Sequence, residues 1–238
     1  GDEHVQRRAK TILAYFDSST ETLKKWQTNN FFRELGKELP FPDTTVEDAK
    51  RAMYLSLVVL NMFEGIRFFS TFLAAWSFSE QPNKTMVGCS ENFKLIARDE
   101  MIHLDVVQRI LHLLATDESE GFVQIAKDCE EEVCKMYSLA REEERVWNAH
   151  IFQYGSPLIG YNEKIANKYM DYLFAIRVSN IGIDPSRIGL KITNNPIRWV
   201  DKYLNAANSK PAAQELDTSG YVAAVDASNE EDFEWDDL

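Results

Sequence analysis

With 238 residues the chain is long enough for one large domain or two small ones, and an apolar fraction of 45% supplies a sizeable core. Ten glycines and seven prolines are too few for a chain of tightly turned strands, so a mostly helical protein is expected. The formal charge is −12, but nine acidic residues and no Lys or Arg follow Lys210, leaving −3 for the first 210 residues. No basic surface suited to phosphate contacts is present, which argues against nucleic-acid binding.

From the N-terminus, Val5 to Gln27 reads as an amphipathic helix marked by Ile12, Leu13, Tyr15, Phe16, Leu23 and Trp26. Pro40 and Pro42 in "LPFPD" forbid its continuation. Thr44 or Thr45 can cap a long helix running to about Glu80, where "QPNK" stops it. Its run from Ala52 to Phe78 is apolar enough to mimic a membrane span, yet Asn61, Glu64 and Arg67 near the centre would be costly in lipid. A buried bundle helix is the expectation, with no membrane. Return helices follow over about Thr85–Ala115 and Glu118–Phe152, a turn at "YGSPLIGYN", a helix over Glu163–Ile181 and a short one from Pro196 to Leu204. The cysteines, Cys89, Cys129 and Cys134, form neither a zinc spacing nor a disulfide framework and read as small buried hydrophobes. The charged start "GDEHVQRRAK" is unlike a signal peptide, so a reducing, cytoplasmic location is expected.

Glu100 and His103 form Glu-x-x-His, and three residues apart on a helix they share a face. Alone this pattern is weak. Glu64 strengthens it: about sixteen helical residues lead from Glu64 to the turn and about fifteen lead back to Glu100, so both legs span ~23 Å. An antiparallel pair therefore brings Glu64, Glu100 and His103 to one level. Carboxylates with an imidazole suit iron or manganese, whereas structural zinc usually recruits thiolates. The residues alone leave open a rival arrangement, Glu64 paired with Arg67 and Glu100 with Arg98, serving structure only. No second Glu-x-x-His occurs, because His4, His112 and His150 lack a glutamate three positions earlier. The sequence thus supplies two helices of a four-helix, ferritin-like site.

The segments "NMFEGIRFFSTF", "KLIARDEMIHL", "NPIRWVDKYL" and "QELDTSGYV…DDL" resemble the small, radical-generating subunit of class I ribonucleotide reductase. The resemblance covers essentially the whole chain but matches only the C-terminal part of that subunit. It implies an all-α, ferritin-like bundle over residues 1–205 and a flexible acidic tail over 206–238 that docks to the large subunit. It implies Glu64, Glu100 and His103 as second-half ligands of a dinuclear iron centre, with Glu100 bridging. Phe68, Phe72 and Ile96 match the apolar shell around the radical tyrosine. Asp99 matches the aspartate hydrogen-bonded to a ligand histidine. Glu215 and Tyr221 match tail residues that relay an electron and proton to the large subunit. It also implies a dimer of small subunits.

The first half of the family pattern is absent here: an Asp ligand, the first Glu-x-x-His, the radical tyrosine after it and the relay tryptophan. A complementary N-terminal chain is therefore expected to complete the centre, the tyrosyl radical lying on a residue this sequence lacks. In the tail, Val225, Phe233, Trp235 and Leu238 alternate with acids and offer apolar anchors to a partner. Two other readings fit less of the sequence. A non-catalytic module that binds the large subunit leaves the metal spacing idle, and another diiron oxidase or store leaves the Tyr221 tail unexplained.

Overall fold

The computed structural model describes residues 3–155 and 158–204, and every regular element among them is helical. The expected all-α architecture holds. Helix α1 spans Glu3–Glu34 and α2 spans Val46–Met62. A five-residue π-helical turn, Phe63–Arg67, joins α2 to α3, Phe68–Ser79. Helices α4 (Val87–Thr116), α5 (Phe122–Ile151) and α6 (Glu163–Asn180) follow, and a short α7, Asp201–Leu204, closes the described chain.

Local chemistry explains most of these boundaries. Thr45 caps α2 in a reciprocal box: its hydroxyl accepts from the Asp48 amide, while the Asp48 carboxylate accepts from the Thr45 amide. Asn162 caps α6 in the same sense by accepting from the Ile165 amide. Helix α1 runs a full two turns beyond the expected Gln27. The reason is Asn29, wholly buried, whose amide donates to the carbonyls of Phe41 and Pro42 at 3.3 and 3.0 Å. Those bonds fold the proline loop back against a helix that must persist to reach it. The stretch 118–120 is a separate 3₁₀ turn, and α5 begins only after Gly121, whose φ of +67° a side chain would resist.

The long apolar run over 46–79 is a core helix, 61% of its most apolar window being buried inside the protein. Ile66, Phe69, Leu73 and Trp76 are fully buried in it, and α4 returns antiparallel against α3. Two polar contacts fix that return. Trp76 Nε1 donates to the Ser90 carbonyl at 3.2 Å, and Ser90 Oγ donates to the Ala75 carbonyl at 3.2 Å. Trp76 also stacks on Tyr203 of α7 at 4.8 Å, whose hydroxyl donates to Glu80 at 2.7 Å. The legs of the hairpin are thus pinned at the turn, which sets the level at which their far ends meet.

A second set of polar groups is buried where α1, the π turn and α5 converge. Glu144, with 0% exposure, accepts from Arg8 Nη2 at 2.8 Å and from Arg67 Nη1 at 2.7 Å. Arg67 also pairs with Glu143, and Arg8 lies 4.7 Å from the Trp147 ring centre. Two guanidiniums and two carboxylates neutralise one another, which is the condition for burying charge. Removing Glu144 would leave Arg8 without its carboxylate partner and Arg67 with Glu143 alone, a buried excess of positive charge. We expect Glu144→Ala to destabilise the fold by about 3–5 kcal/mol, read as a shift of the urea midpoint at unchanged slope.

Candidate metal centre

Glu64 lies in the π turn, where an extra residue per turn re-aims side chains relative to an ordinary helix. Glu100 and His103 lie on α4, one turn apart. The structure brings all three together: one ligand atom from each lies within 4.8 Å of the others. His103 Nδ1 is 3.5 Å from Glu100 Oε2 and 3.8 Å from Glu64 Oε1. The second Glu64 oxygen, Oε2, is buried with no hydrogen-bond partner. Burial pushes the Glu64 carboxyl above its usual range and the Glu100 charge adds to that, while His103 opposes it.

An orphaned carboxylate oxygen among two further donors is what a cation would satisfy. The donor set contains oxygen and imidazole nitrogen but no thiolate, which fits iron or manganese better than structural zinc. The cluster has an open side. The His103 side chain is 58% exposed, and Ile96, Ile102, Val106, Ile110 and Leu113 of α4 are exposed around it.

The rival pairing of Glu64 with Arg67 does not occur, since Arg67 is engaged by Glu143 and Glu144. Arg98 Nε donates to Asp99 Oδ1 at 3.2 Å, so Asp99 sits with its neighbour on an exposed face of the helix. Phe72 is buried and Phe68 half-buried, their rings stacked at 5.8 Å. Ile96, expected in the same apolar shell, is exposed on the open side, so that shell is not closed by this chain. Glu215 and Tyr221 lie outside the described residues.

Sequence reasoning missed the π turn itself, the Arg8–Glu144–Arg67 cluster and Arg177 of α6. Arg177 is buried and donates from Nε to the Gly65 carbonyl at 3.3 Å. Gly65 was the available signal. A glycine inside an apolar helix costs about 1 kcal/mol relative to alanine, and a cost kept beside a buried glutamate points to a close approach.

Residues 1–186 match the family described as "Ribonucleotide reductase, small chain". The ribonucleoside-diphosphate reductase subunit beta of Buchnera aphidicola subsp. Baizongia pistaciae is 33% identical over 98% of this chain and 61% of that protein. Subunit beta of the Escherichia coli O157:H7 ribonucleoside-diphosphate reductase 1 is 31% identical over 97% of this chain and 60% of its own length. Among solved structures, the ribonucleotide reductase R2 subunit from Clostridium botulinum superposes with a TM-score of 0.63 at 25% identity, covering 85% of this chain and 53% of that one. The chain therefore spans about 60% of the length of the curated relatives it matches.

The raised Glu64 proton affinity has a direct consequence for stability. With a folded pKa above the unfolded one, the group favours folding in acid, and that benefit is lost as pH rises through the folded value. Above that value the metal-free protein carries the cost of a buried carboxylate beside Glu100. We expect Glu64→Gln to raise the Tm of the metal-free chain at pH 7 by about 2–4 °C and to bring no gain at pH 4. Equal or lower Tm at pH 7, measured by circular dichroism, would contradict this account.

Proposed function

We propose, since this chain belongs to the ribonucleotide reductase small-chain family, that it helps build the dinuclear iron centre of a ribonucleotide-reducing enzyme and passes the oxidising equivalent onward. The observation that carries the reading is the convergence of Glu64, Glu100 and His103, with one Glu64 oxygen buried and unpartnered. Glu64 and Glu100 bring the negative charge that holds the ions, and His103 supplies a neutral nitrogen donor at the rim. When bound, the metal pair supplies the oxidising chemistry that generates a tyrosyl radical; iron is the first choice and manganese is compatible with the same donors.

A dinuclear centre of this kind draws four glutamates or aspartates and two histidines from four helices. This chain provides two carboxylates and one imidazole. The remaining donors and the radical tyrosine come from residues outside this sequence, on a complementary N-terminal portion that packs on the open side of α4. This sequence then corresponds to the C-terminal part of the subunit. Phe68 and Phe72 contribute the part of the apolar shell that keeps water from the radical, and the added portion closes it over Ile96. Asp99 orients a ligand histidine of that portion by accepting its ring N–H.

The acidic tail, residues 206–238, docks on the large subunit through Val225, Phe233, Trp235 and Leu238. Tyr221 relays an electron and a proton between the subunits, with Glu215 assisting, and the large subunit reduces ribonucleotides to deoxyribonucleotides. The working assembly contains a dimer of small subunits and acts in the cytoplasm.

Ligand counting gives a test on the protein alone. The chain by itself should take up little iron and show no tyrosyl radical by electron paramagnetic resonance. Mixed with a chain carrying an Asp, a Glu-x-x-His and a tyrosine, it should hold about two irons and give a radical signal. A complete dinuclear centre in the chain alone would overturn the half-set reading.

The tail role is tested separately. Tyr221→Phe keeps the ring and its packing but cannot lose a phenolic proton. Turnover by the assembled enzyme should fall to background while the affinity for the large subunit, measured by titration, stays at the wild-type level. Ordinary turnover would remove Tyr221 from the relay.

A further inference from the structure

π-Helical turns are rare and sit mostly at functional positions, because their wider ring weakens the helix unless the surroundings hold it. Here two of the five carbonyls in Phe63–Arg67 are taken by arginines from other helices. Arg8 of α1 donates from Nη2 to the Arg67 carbonyl at 3.0 Å, and Arg177 of α6 donates from Nε to the Gly65 carbonyl at 3.3 Å. The first of these arginines is also charge-neutralised, because Glu144 binds it.

Arg177 differs. Its remaining contacts are soft: Nη2 lies 3.6 Å from Met101 Sδ, and the guanidinium carbon is 5.9 Å from the Phe69 ring centre. Among the described residues no carboxylate forms an ion pair with it. Burying a guanidinium without an ion-pair partner is costly, and burial accordingly pulls its pKa below the ordinary range. Structure alone would be served as well by an apolar side chain.

Gly65 shows what the arrangement achieves. A Cβ there would lie 2.9 Å from Leu104 Cδ1 and 3.2 Å from both Cδ and Nε of Arg177. The absent side chain lets α4 and α6 close on the backbone immediately after Glu64. Leu104 is the neighbour of His103, so this three-way contact lies between the two helices that carry the donors.

We propose that Arg177 is a positioning residue for Glu64: its Nε–H on the Gly65 carbonyl holds the π turn in the register that aims the Glu64 carboxylate at Glu100 and His103. The role of Glu64 as a metal ligand is taken from the function proposed above; the holding of the turn is independent of it.

The test uses the full chain with Arg177→Lys, Arg177→Met and, as a core control, Val133→Ala. Lysine keeps the positive charge and the stem but puts a methylene where Nε stands, so the bond to the Gly65 carbonyl is lost while the charge is retained. Two quantities are read under conditions where every variant is folded by circular dichroism. One is amide hydrogen exchange over residues 63–72, and the other is Mn²⁺ affinity, from the free-ion electron paramagnetic resonance signal, of each variant mixed with the complementary chain that supplies the missing donors. Both Arg177 variants should exchange faster in this segment and bind Mn²⁺ about tenfold more weakly. Val133→Ala should lower Tm yet leave both quantities within about twofold of wild type.

Should Arg177→Met fail to fold, Arg177→Lys decides. Wild-type exchange and wild-type affinity in Arg177→Lys would overturn the proposal. If wild-type protein binds Mn²⁺ no better than Glu64→Gln, the metal-ligand reading is what fails, and exchange alone then decides. Faster exchange over 63–72 in Arg177→Lys than in Val133→Ala upholds the holding of the turn; equal exchange refutes it.

Discussion

Two carboxylates of like charge, held close together at the meeting of two helices with no guanidinium between them, are the constraint around which this molecule is arranged. Glu64 and Glu100 approach only because α3 and α4 leave and return over nearly equal lengths from a turn pinned by Trp76 and Ser90. The same helix run contains its own control. Three residues after Glu64, Arg67 enters an equally buried region, and there the chain supplies compensating charge through Glu143, Glu144 and Arg8. One buried charge is neutralised by the protein and the other is left to be neutralised by something else. The first is a structural ion-pair cluster, and the second is the charge that the proposed metal would neutralise.

The arrangement between these two points is correspondingly stiff. Arg67 is tied to α5, its carbonyl to α1, and the Gly65 carbonyl to α6. Beyond it lies a buried polar chain: Asn180 donates to Gln108 at 3.0 Å, Gln108 to Asn61 at 3.1 Å, and Asn61 to the fully buried Tyr137. That chain links α2, α4, α5 and α6 just below the donors. Satisfied polar networks of this kind specify one arrangement of a core over its apolar alternatives.

Much of the fold could be read directly. Prolines 40 and 42, the Thr45 cap, "QPNK" and "YGSPLIGYN" punctuate helices whose apolar spacing is plain. What could not be read had physical reasons. The π turn is hidden because the run around it is apolar on nearly every face, so one additional residue per turn leaves no break in periodicity. The last two turns of α1 depend on Asn29 bonding a loop twelve and thirteen residues away, a tertiary contact that local propensity does not encode. At the site, Glu-x-x-His and the equal legs were legible because helix geometry alone converts them into proximity. The destination of Arg67 was not: "REEER" looks like a solvated face, and only packing reveals that Glu144 within it is the best-buried acid of the described chain.

The donor cluster has a floor and a rim, and the difference bears on selectivity. Glu64 lies beneath, while His103 stands open to solvent on α4. Small nitrogen-and-oxygen sites that are open on one side rank divalent ions by intrinsic affinity, with copper and zinc above manganese and iron. Discrimination in the reverse order requires a fixed coordination number and enforced geometry, which an open half-cage lacks. On the function proposed above, the choice of metal would therefore fall to whatever closes the exposed side of α4 rather than to this chain.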